Sequence, residues 1–417
     1  MRTAAIICEY NPYHNGHAYQ IAQVRKVIPD AAIIGIMSGN YVQRGDAAIC
    51  CKYERAKAAV LGGADLILEL PFPHCCASAE IFADAGVFIA QSTGIADTLA
   101  FGAETAELAK LKNIAENLSS SRFQSSLSSL CENSRHSPAG FPFQREKLYL
   151  DLFGNDDLAA LKLPNNILAL EYLRALYKYR NIAPLLIPRK GAAHDSEITP
   201  DDFPDLASAS QVRTWTEKNK WNSVRRAVPE ASFAILEKAF GCGSAPADIR
   251  RAESALLWYF RNADTAVTAQ YADMPNGMAG RFHDAARNAV TLDGMIERCK
   301  SKKFTNARIR RSLLYAFFQV SPQVLAAPPT YTCVLAANAR GTELLSRIKK
   351  SSSLPLLTKP AHYKRLSGAA RSVFELSLRA DAFWHMLLPK PLPAGAALRY
   401  TPYIHDSMEH ENYQSQS

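Results

Sequence analysis

The chain has 417 residues, 48% of them hydrophobic, 21% charged and 9% aromatic, and a formal net charge of +9. That balance excludes a fibrous, low-complexity or disordered chain, and the length suggests two or three domains with real cores. No apolar run approaches the roughly 18 residues of a membrane helix, and the N-terminus lacks the regions of a signal peptide, so a cytoplasmic protein with no membrane association is expected. The nine cysteines include the adjacent pairs Cys50-Cys51 and Cys75-Cys76 but no C-x-x-C, which favours reduced, packed thiols over a zinc site.

The first predicted elements organise the rest. Ala4 to Cys8 is a short apolar run rich in small and β-branched residues; it breaks at Asn11-Pro12 and resumes as a helix-compatible segment from Gly16 to about Val27. At such a strand-turn-helix junction the first helical N–H groups lack an intrahelical partner and carry the positive end of the dipole, so an anion binds there. His14 and His17 sit three apart, so a helix beginning near Asn15 brings both imidazoles to one side of its first turn. Two donors converging on one phosphate suit adenylyl or other nucleotidyl transfer, where negative charge builds on the α-phosphoryl oxygens. Gly16 between them lets backbone approach the nucleotide closely. The alternative is that both histidines only cap a surface helix, because a bare H-x-G-H recurs by chance.

Ala31 to Met37 is the second predicted strand, ending in the Gly-bounded polar loop from Ser38 to Asp46, and Lys52 to Leu61 is helical. Leu66 to Leu70 is the third strand and Thr98 to Phe101 the fourth, closing on Gly102-Ala103-Glu104-Thr105. This β-α-β-α alternation implies a parallel sheet with its ligand site beyond the carboxyl ends of the strands. Arg44 then either reaches a phosphate or carboxylate from its loop or is a solvated surface cation.

From Glu104 to about Leu161 the text reads as a helical insertion or lid, with a serine-rich part (Ser119 to Ser129) and a loop around Ser137 to Pro142. Asn165 and Asn166 read as the cap of an amphipathic helix from Ile167 to Tyr179. Leu185 to Pro188 reads as the final strand, delivering Arg189-Lys190-Gly191, a plausible triphosphate contact, and then His194-Asp195-Ser196. Ala207 to Arg213 again looks like a helix start, carrying hydroxyls and an arginine. The remainder reads mainly as helices, with boundaries near Pro229, Pro275 and Pro328-Pro329. Within it, Arg298 to Arg311 holds seven basic residues and no acidic one, which is either a solvated face or an RNA-backbone contact. Lys349-Lys350 and the Lys359 to Arg365 neighbourhood extend that patch, and the tail 406–417 is expected to be disordered.

Several of these blocks together resemble one family. They are Glu9-Tyr10-Asn11-Pro12-Tyr13-His14-Asn15-Gly16-His17, Met37 through Gly45, Phe101-Gly102, Pro164-Asn165-Asn166-Ile167-Leu168 and Ile187-Pro188-Arg189. In order and spacing they resemble the bacterial tRNA(Met) cytidine acetate ligase family of the HxGH nucleotidyltransferase superfamily over about the first 210 residues, and Arg308-Ile309-Arg310-Arg311 resembles its C-terminal part. The resemblance implies a Rossmann-like α/β domain with a parallel sheet over 1–210, bearing the helical insertion at about 104–161, then a mainly α-helical, basic, tRNA-binding domain over 211–405.

It further implies an ATP-dependent ligase. ATP and acetate give acetyl-adenylate and pyrophosphate, and the acetyl group passes to N4 of the wobble cytidine of elongator tRNA(Met), forming N4-acetylcytidine. The family's ATP site carries over to Ile7, Cys8, Glu9, Tyr10, Asn11, Pro12, Tyr13, His14, Asn15, Gly16, His17, Ala18, Tyr19 and Gln20, to Gly102, to one of Asn165 and Asn166, and to Arg189, with His14 and His17 catalytic. Ser38, Gln43 and Arg44 are candidates for holding acetate or phosphate, and Lys302, Lys303, Arg308, Arg310 and Arg311 for tRNA. Magnesium is the usual companion of ATP; no resident metal and no protein partner is implied. Tyr13 stands where phenylalanine is expected, and Arg189 to Asp195 looks like a compacted form of the family's glycine-rich segment. A small-molecule adenylyl- or cytidylyltransferase of the same fold explains the N-terminal half equally well but leaves the basic half without work. A non-catalytic RNA-binding protein retaining the fold is a third reading.

Overall fold

The computed structural model describes residues 1–133, 141–154, 158–179, 181–188 and 206–405. Strand β1 (Thr3–Cys8) is buried along its whole length between parallel neighbours, which is why its sequence is a continuous apolar run rather than an alternating one. Helix α1 (Asn15–Val27), β2 (Ala32–Ser38), the short hairpin strands β3 (Tyr41–Val42) and β4 (Asp46–Ala47), α2 (Lys52–Leu61), β5 (Leu66–Leu70), α3 (Ala79–Ser92) and β6 (Thr98–Ala103) follow. Helices α4 (Leu108–Ser119), α5 (Ser121–Asn133) and α6 (Phe141–Phe153) precede α7 (Pro164–Lys178) and β7 (Ala183–Pro188). A helical region comes next: α8 (Ala209–Glu217), α9 (Trp221–Ala227), α10 (Glu230–Cys242), α11 (Glu253–Asn262), α12 (Thr265–Thr268), α13 (Met278–Asn288), α14 (Leu292–Cys299), α15 (Asn306–Phe317) and α16 (Pro322–Ala326). Then come β8 (Thr332–Asn338), α17 (Ala339–Ser351), β9 (Leu356–Leu357), α18 (Gly368–Met386) and β10 (Tyr403–His405).

The sheet order is β10-β8-β5-β2-β1-β6-β7, with β9 beside β8. The chain steps outward from β1 through β2 to β5, then returns to the other side of β1 with β6 and β7, so the topological switch point lies between β1 and β6. There the ladder pairs only Ala4 with Thr98 and Ala5 with Leu99. On the outer sides it runs to the strand ends, through Cys8–Met37 and Ala103–Pro188. The two central strands therefore part toward their carboxyl ends and leave a seam, across which the continued register sets Gly102 level with Cys8.

Leu185 to Pro188 is not the final strand. β8 pairs antiparallel with β5, and β10 pairs parallel with β8, so the chain after residue 331 completes the sheet begun by its N-terminus. The run Thr332–Asn338 is buried on both faces, and a short continuous apolar run carries no period that separates a buried strand from a buried helix. One apolar core consequently includes both Ala4 and Leu388. Ser137 to Gly140, Arg189-Lys190-Gly191, His194-Asp195-Ser196 and the tail 406–417 lie outside the described residues, while Phe141 and Pro142 open α6. Cys8, Cys50, Cys51, Cys75, Cys76, Cys299 and Cys333 are buried free thiols. Among the described residues no helix is long and apolar enough to cross a membrane.

His74, just beyond β5, ties the sheet to the helical region, with Nε2 2.8 Å from the Ala327 carbonyl and Nδ1 buried without a partner among the described residues. Burial pushes its pKa down to about 4, because a second proton on Nδ1 would have no acceptor. An unfolded histidine titrates near about 6.5, so the folded state is favoured fully above that pH and loses up to about 3 kcal/mol as pH falls from there toward 4. In urea unfolding from pH 7 to pH 4, His74→Gln, whose amide nitrogen can replace Nε2–H, should lose that part of the acid limb; an unchanged slope would contradict the assignment.

Candidate active site

The turn joining β1 to α1 is built tightly. Tyr10 has a left-handed backbone (φ 46°) and is buried, with its ring edge-on to Tyr13 at 4.9 Å and to His17 at 4.8 Å. That conformation costs a bulky residue on the order of 1 kcal/mol, which the aromatic cluster offsets. The Tyr13 hydroxyl, absent from the expected phenylalanine, donates to the Gly62 carbonyl at 2.8 Å, and a Cβ on Gly62 would lie 2.2 Å from the Tyr13 ring.

His14 and His17 cap α1 reciprocally. His14 Nδ1 accepts the Gly16 N–H at 3.0 Å, and the His14 N–H donates to His17 Nδ1 at 3.2 Å. The rings stack at 3.7 Å with 29° between their planes. Since each Nδ1 accepts, the neutral rings carry their protons on Nε2, and one stacked pair presents two N–H donors. The structure alters the sequence expectation in two respects. The Gly16 N–H, expected to be open to a phosphate, is taken by His14. A Cβ on Gly16 would lie 2.8 Å from His14 Cε1, so this glycine makes room for the imidazole.

The loop after β2 and helices α2, α8, α9 and α10 converge on the motif. The Glu9 carboxylate accepts the Gln43 N–H at 2.9 Å, and Asn11 Oδ1 accepts the Ile49 N–H at 2.7 Å, folding the loop after β2 against the turn. Arg213 on α8 donates to the Asn11 carbonyl at 2.6 Å, Asn15 Nδ2 donates to the Arg226 carbonyl at 2.8 Å, and Ser232 Oγ donates to the Tyr13 carbonyl at 2.8 Å. Arg55 on α2, fully buried, donates to the carbonyls of Glu9, Ser38, Gly39 and Cys50. Burial raises the Glu9 carboxyl above the usual carboxylate range, opposed by Arg213, Arg55 and Arg44. Burial likewise lowers Arg213, whose charge is supported by Glu9 and Asp46 and repelled by Arg44. The repulsion between Arg44 and Arg213 is of the kind that an added anion relieves.

Along the seam, Ile7 packs where a Cβ on Gly86 would lie 2.7 Å from its Cδ1, and Cys8 Sγ makes a weak contact with the Ile36 carbonyl at 3.7 Å. Their side chains are thus committed to the sheet and its covering helix. Gly102 is half-buried on the facing strand, as are Ala18, Tyr19 and Gln20 in α1. Ser38 is fully buried, and its Oγ has no partner among the described residues; Arg44 is exposed. Arg189 lies outside the described residues.

The asparagines do not cap α7. Leu163 holds the cap position, and the Glu104 carboxylate accepts the Asn165 N–H at 3.2 Å and the Asn166 N–H at 2.8 Å, an anion at a helix start. Asn166, fully buried, reciprocates by accepting the Glu104 and Thr105 N–H groups at 3.0 Å each and donating to Thr105 Oγ1 at 2.8 Å. It shapes the loop after Gly102. Asn165 is half-buried, with Nδ2 2.5 Å from Glu104 Oε1.

The basic run is partly neutralised by acids that its own sequence window lacks. Arg308 lies 3.0 Å and Arg311 3.4 Å from the Asp273 carboxylate, and Arg310 pairs with Asp46. Lys302 is exposed, and Lys303 sits 5.8 Å from the Phe304 ring centroid. Sequence reasoning passed over Arg55 and over a buried anchor for the loop after β2: Lys52 Nζ lies 2.6 Å from Glu69 and 2.7 Å from Asp381, while Asn40 Nδ2 donates to Asp381 at 2.9 Å. Its only signal was the run of Ala56, Ala58 and Ala59 in α2, small residues that suit a helix packed all round and leave its charges buried. Among the described residues, no group of three or more His, Cys, Asp or Glu could hold a metal ion.

A family model described as HIGH Nucleotidyl Transferase matches residues 1–396. A Halothermothrix orenii protein named tRNA(Met) cytidine acetate ligase is 34% identical over 413 residues, covering 94% of this chain and 96% of its own. A Syntrophomonas wolfei subsp. wolfei protein of the same name is 31% identical over 416 residues, covering 96% and 98%. The crystal structure of Thermotoga maritima TmcAL bound with alpha-thio ATP is 27% identical and aligns at a TM-score of 0.88 over 98% of this chain and 100% of that one.

The double use of His14 can be separated by substitution. His14→Ala removes the cap of α1 and should cost about 1 kcal/mol in urea unfolding, whereas His14→Asn keeps an acceptor near the Nδ1 position and should stay close to the parent. Equal losses in the two variants would contradict the capping role.

Proposed function

The chain belongs to the tRNA(Met) cytidine acetate ligase family and to the HIGH nucleotidyl transferases, and we propose that it activates acetate as acetyl-adenylate and transfers the acetyl group to N4 of the wobble cytidine of elongator tRNA(Met). It is an ATP-dependent ligase. The observation that carries the finer reading is the stacked His14–His17 pair at the start of α1, on the turn that leads from β1 at the seam.

In the first step a carboxylate oxygen of acetate attacks the α-phosphorus of ATP, the bond to the bridging oxygen of the β-phosphate breaks, and pyrophosphate leaves. His14 and His17 donate from Nε2 to the α-phosphoryl oxygens as charge builds there, a type of donor whose removal typically costs about 10²- to 10³-fold in rate. Arg44 and Arg213 offset the charge of the departing pyrophosphate. Adenosine lies along the seam between the backbone of Ile7 to Glu9 and Gly102, with Asn165 rather than the saturated Asn166 at its edge. In the second step the cytidine N4 amine attacks the acetyl carbonyl, AMP leaves with the bonding electrons, and the nitrogen loses a proton. Acetate needs this activation because its own leaving group is poor, and no covalent enzyme intermediate is required.

Magnesium would enter as a companion of the nucleotide and would offset the charge of its phosphates, since phosphates and water rather than a protein cage are its usual ligands. The exposed Arg298, Lys300 and Lys302, with the half-buried Lys303 beside them, suit the tRNA backbone, and a cytoplasmic setting follows from the substrates. Labelled pyrophosphate should exchange into ATP only when acetate is present and without any tRNA, and His14→Asn should abolish the exchange despite its intact cap. A strict requirement for tRNA, or for acetyl-CoA in place of acetate, would overturn the scheme.

A further inference from the structure

We propose that Arg310, on the helix of the basic run, is a positioning residue for acetate activation: with Asp46 it holds the Gln43–Arg44 hairpin against Glu9. The inference rests on the acetyl-adenylate reading above and assigns Arg310 to the activation step rather than to tRNA alone.

The hairpin is clamped from two sides. On one, the Gln43 N–H donates to Glu9 at 2.9 Å, the Ile49 N–H to Asn11 Oδ1 at 2.7 Å, and the Ala48 N–H to the Asn40 carbonyl at 2.9 Å. On the other, the turn rests on α15. Gly45 sits at φ +79°, its N–H donates to the Val42 carbonyl at 2.9 Å, and a Cβ there would lie 2.7 Å from both Arg310 Cβ and the Arg311 nitrogen. Only a glycine fits so close to another backbone, and in that conformation. From this contact the Arg310 guanidinium reaches the Asp46 carboxylate and lies 4.0 Å from Asp293.

Helix α15 is a firm support. Arg308 and Arg311 grip Asp273, and the Tyr315 hydroxyl donates to the Cys76 carbonyl beneath the sheet end. Arg44, next to Gly45, projects from the clamped turn, so its aim depends on both clamps. The pair also has an electrostatic consequence. Asp46 lies in the field of Arg213, one of the two cations assigned to pyrophosphate. With Arg310 removed, that carboxylate is drawn toward Arg213 instead of α15, which loosens the turn.

Pyrophosphate–ATP exchange with acetate and no tRNA reads this directly, because a residue that only contacts tRNA cannot affect it. Arg310→Ala should slow exchange about tenfold, as expected for a misplaced substrate-positioning group. Asp46→Asn alone should slow exchange to a similar degree, Arg310→Ala combined with Asp46→Asn should be no slower than Arg310→Ala, since the two act as one clamp, and Arg310→Lys should stay near the parent. Thermal unfolding of each variant checks that the fold is intact, and a variant that fails to fold leaves Arg310→Lys and Asp46→Asn to carry the comparison. Normal exchange in Arg310→Ala, with a defect only in tRNA acetylation, overturns the inference, and so does unchanged exchange in Asp46→Asn. Absence of acetate-dependent exchange in the parent protein refutes the acetyl-adenylate reading instead.

Discussion

The site depends on one buried cation. Arg55 is 1% exposed and is held by carbonyl oxygens at the exits of β1 and β2 and in the loop that follows, at Glu9, Ser38, Gly39 and Cys50. A guanidinium out of water is costly unless its donors are satisfied, and burial lowers its proton affinity even here. Strand-end carbonyls are otherwise short of partners, so the two needs meet. The result fixes where β1 turns toward α1, and with it where the His14–His17 pair stands.

From that point the chain closes on itself. The loop after β2 is drawn over the β1 turn by Glu9 and Asn11, and its far end is anchored where Lys52, at the start of α2, pairs with Asp381 of α18. Helices α8 to α10 reach the same turn through Arg213, Arg226 and Ser232. The His14–His17 pair, two residues in one helical turn, is therefore held by elements spread over most of the chain, and the return of β8 to the edge of β5 brings α18 within reach.

The N-terminal half was legible because its signals are local. Leu66–Leu70 and Lys52–Leu61 match the sequence boundaries, since Pro, Gly and the change of period mark where each begins and ends. The histidine pair was legible from its spacing, though not its use of Nδ1 for capping, which depends on the rotamers of both rings. Long-range partners were not legible. Asn165 and Asn166 carry the residue type of a helix cap, but Glu104, beyond β6, reaches the helix start first. Arg308 to Arg311 read as bare positive charge because Asp273 and Asp46 enter only through the fold. β8 hid in an apolar run whose partner strand is remote in sequence.

The measurement that tests the account most directly is mass spectrometry of nucleosides from elongator tRNA(Met) incubated with the protein, ATP and isotopically labelled acetate. Labelled N4-acetylcytidine is expected at the wobble position, with AMP and pyrophosphate formed alongside it. Unlabelled or absent N4-acetylcytidine from a protein that still binds ATP would contradict it.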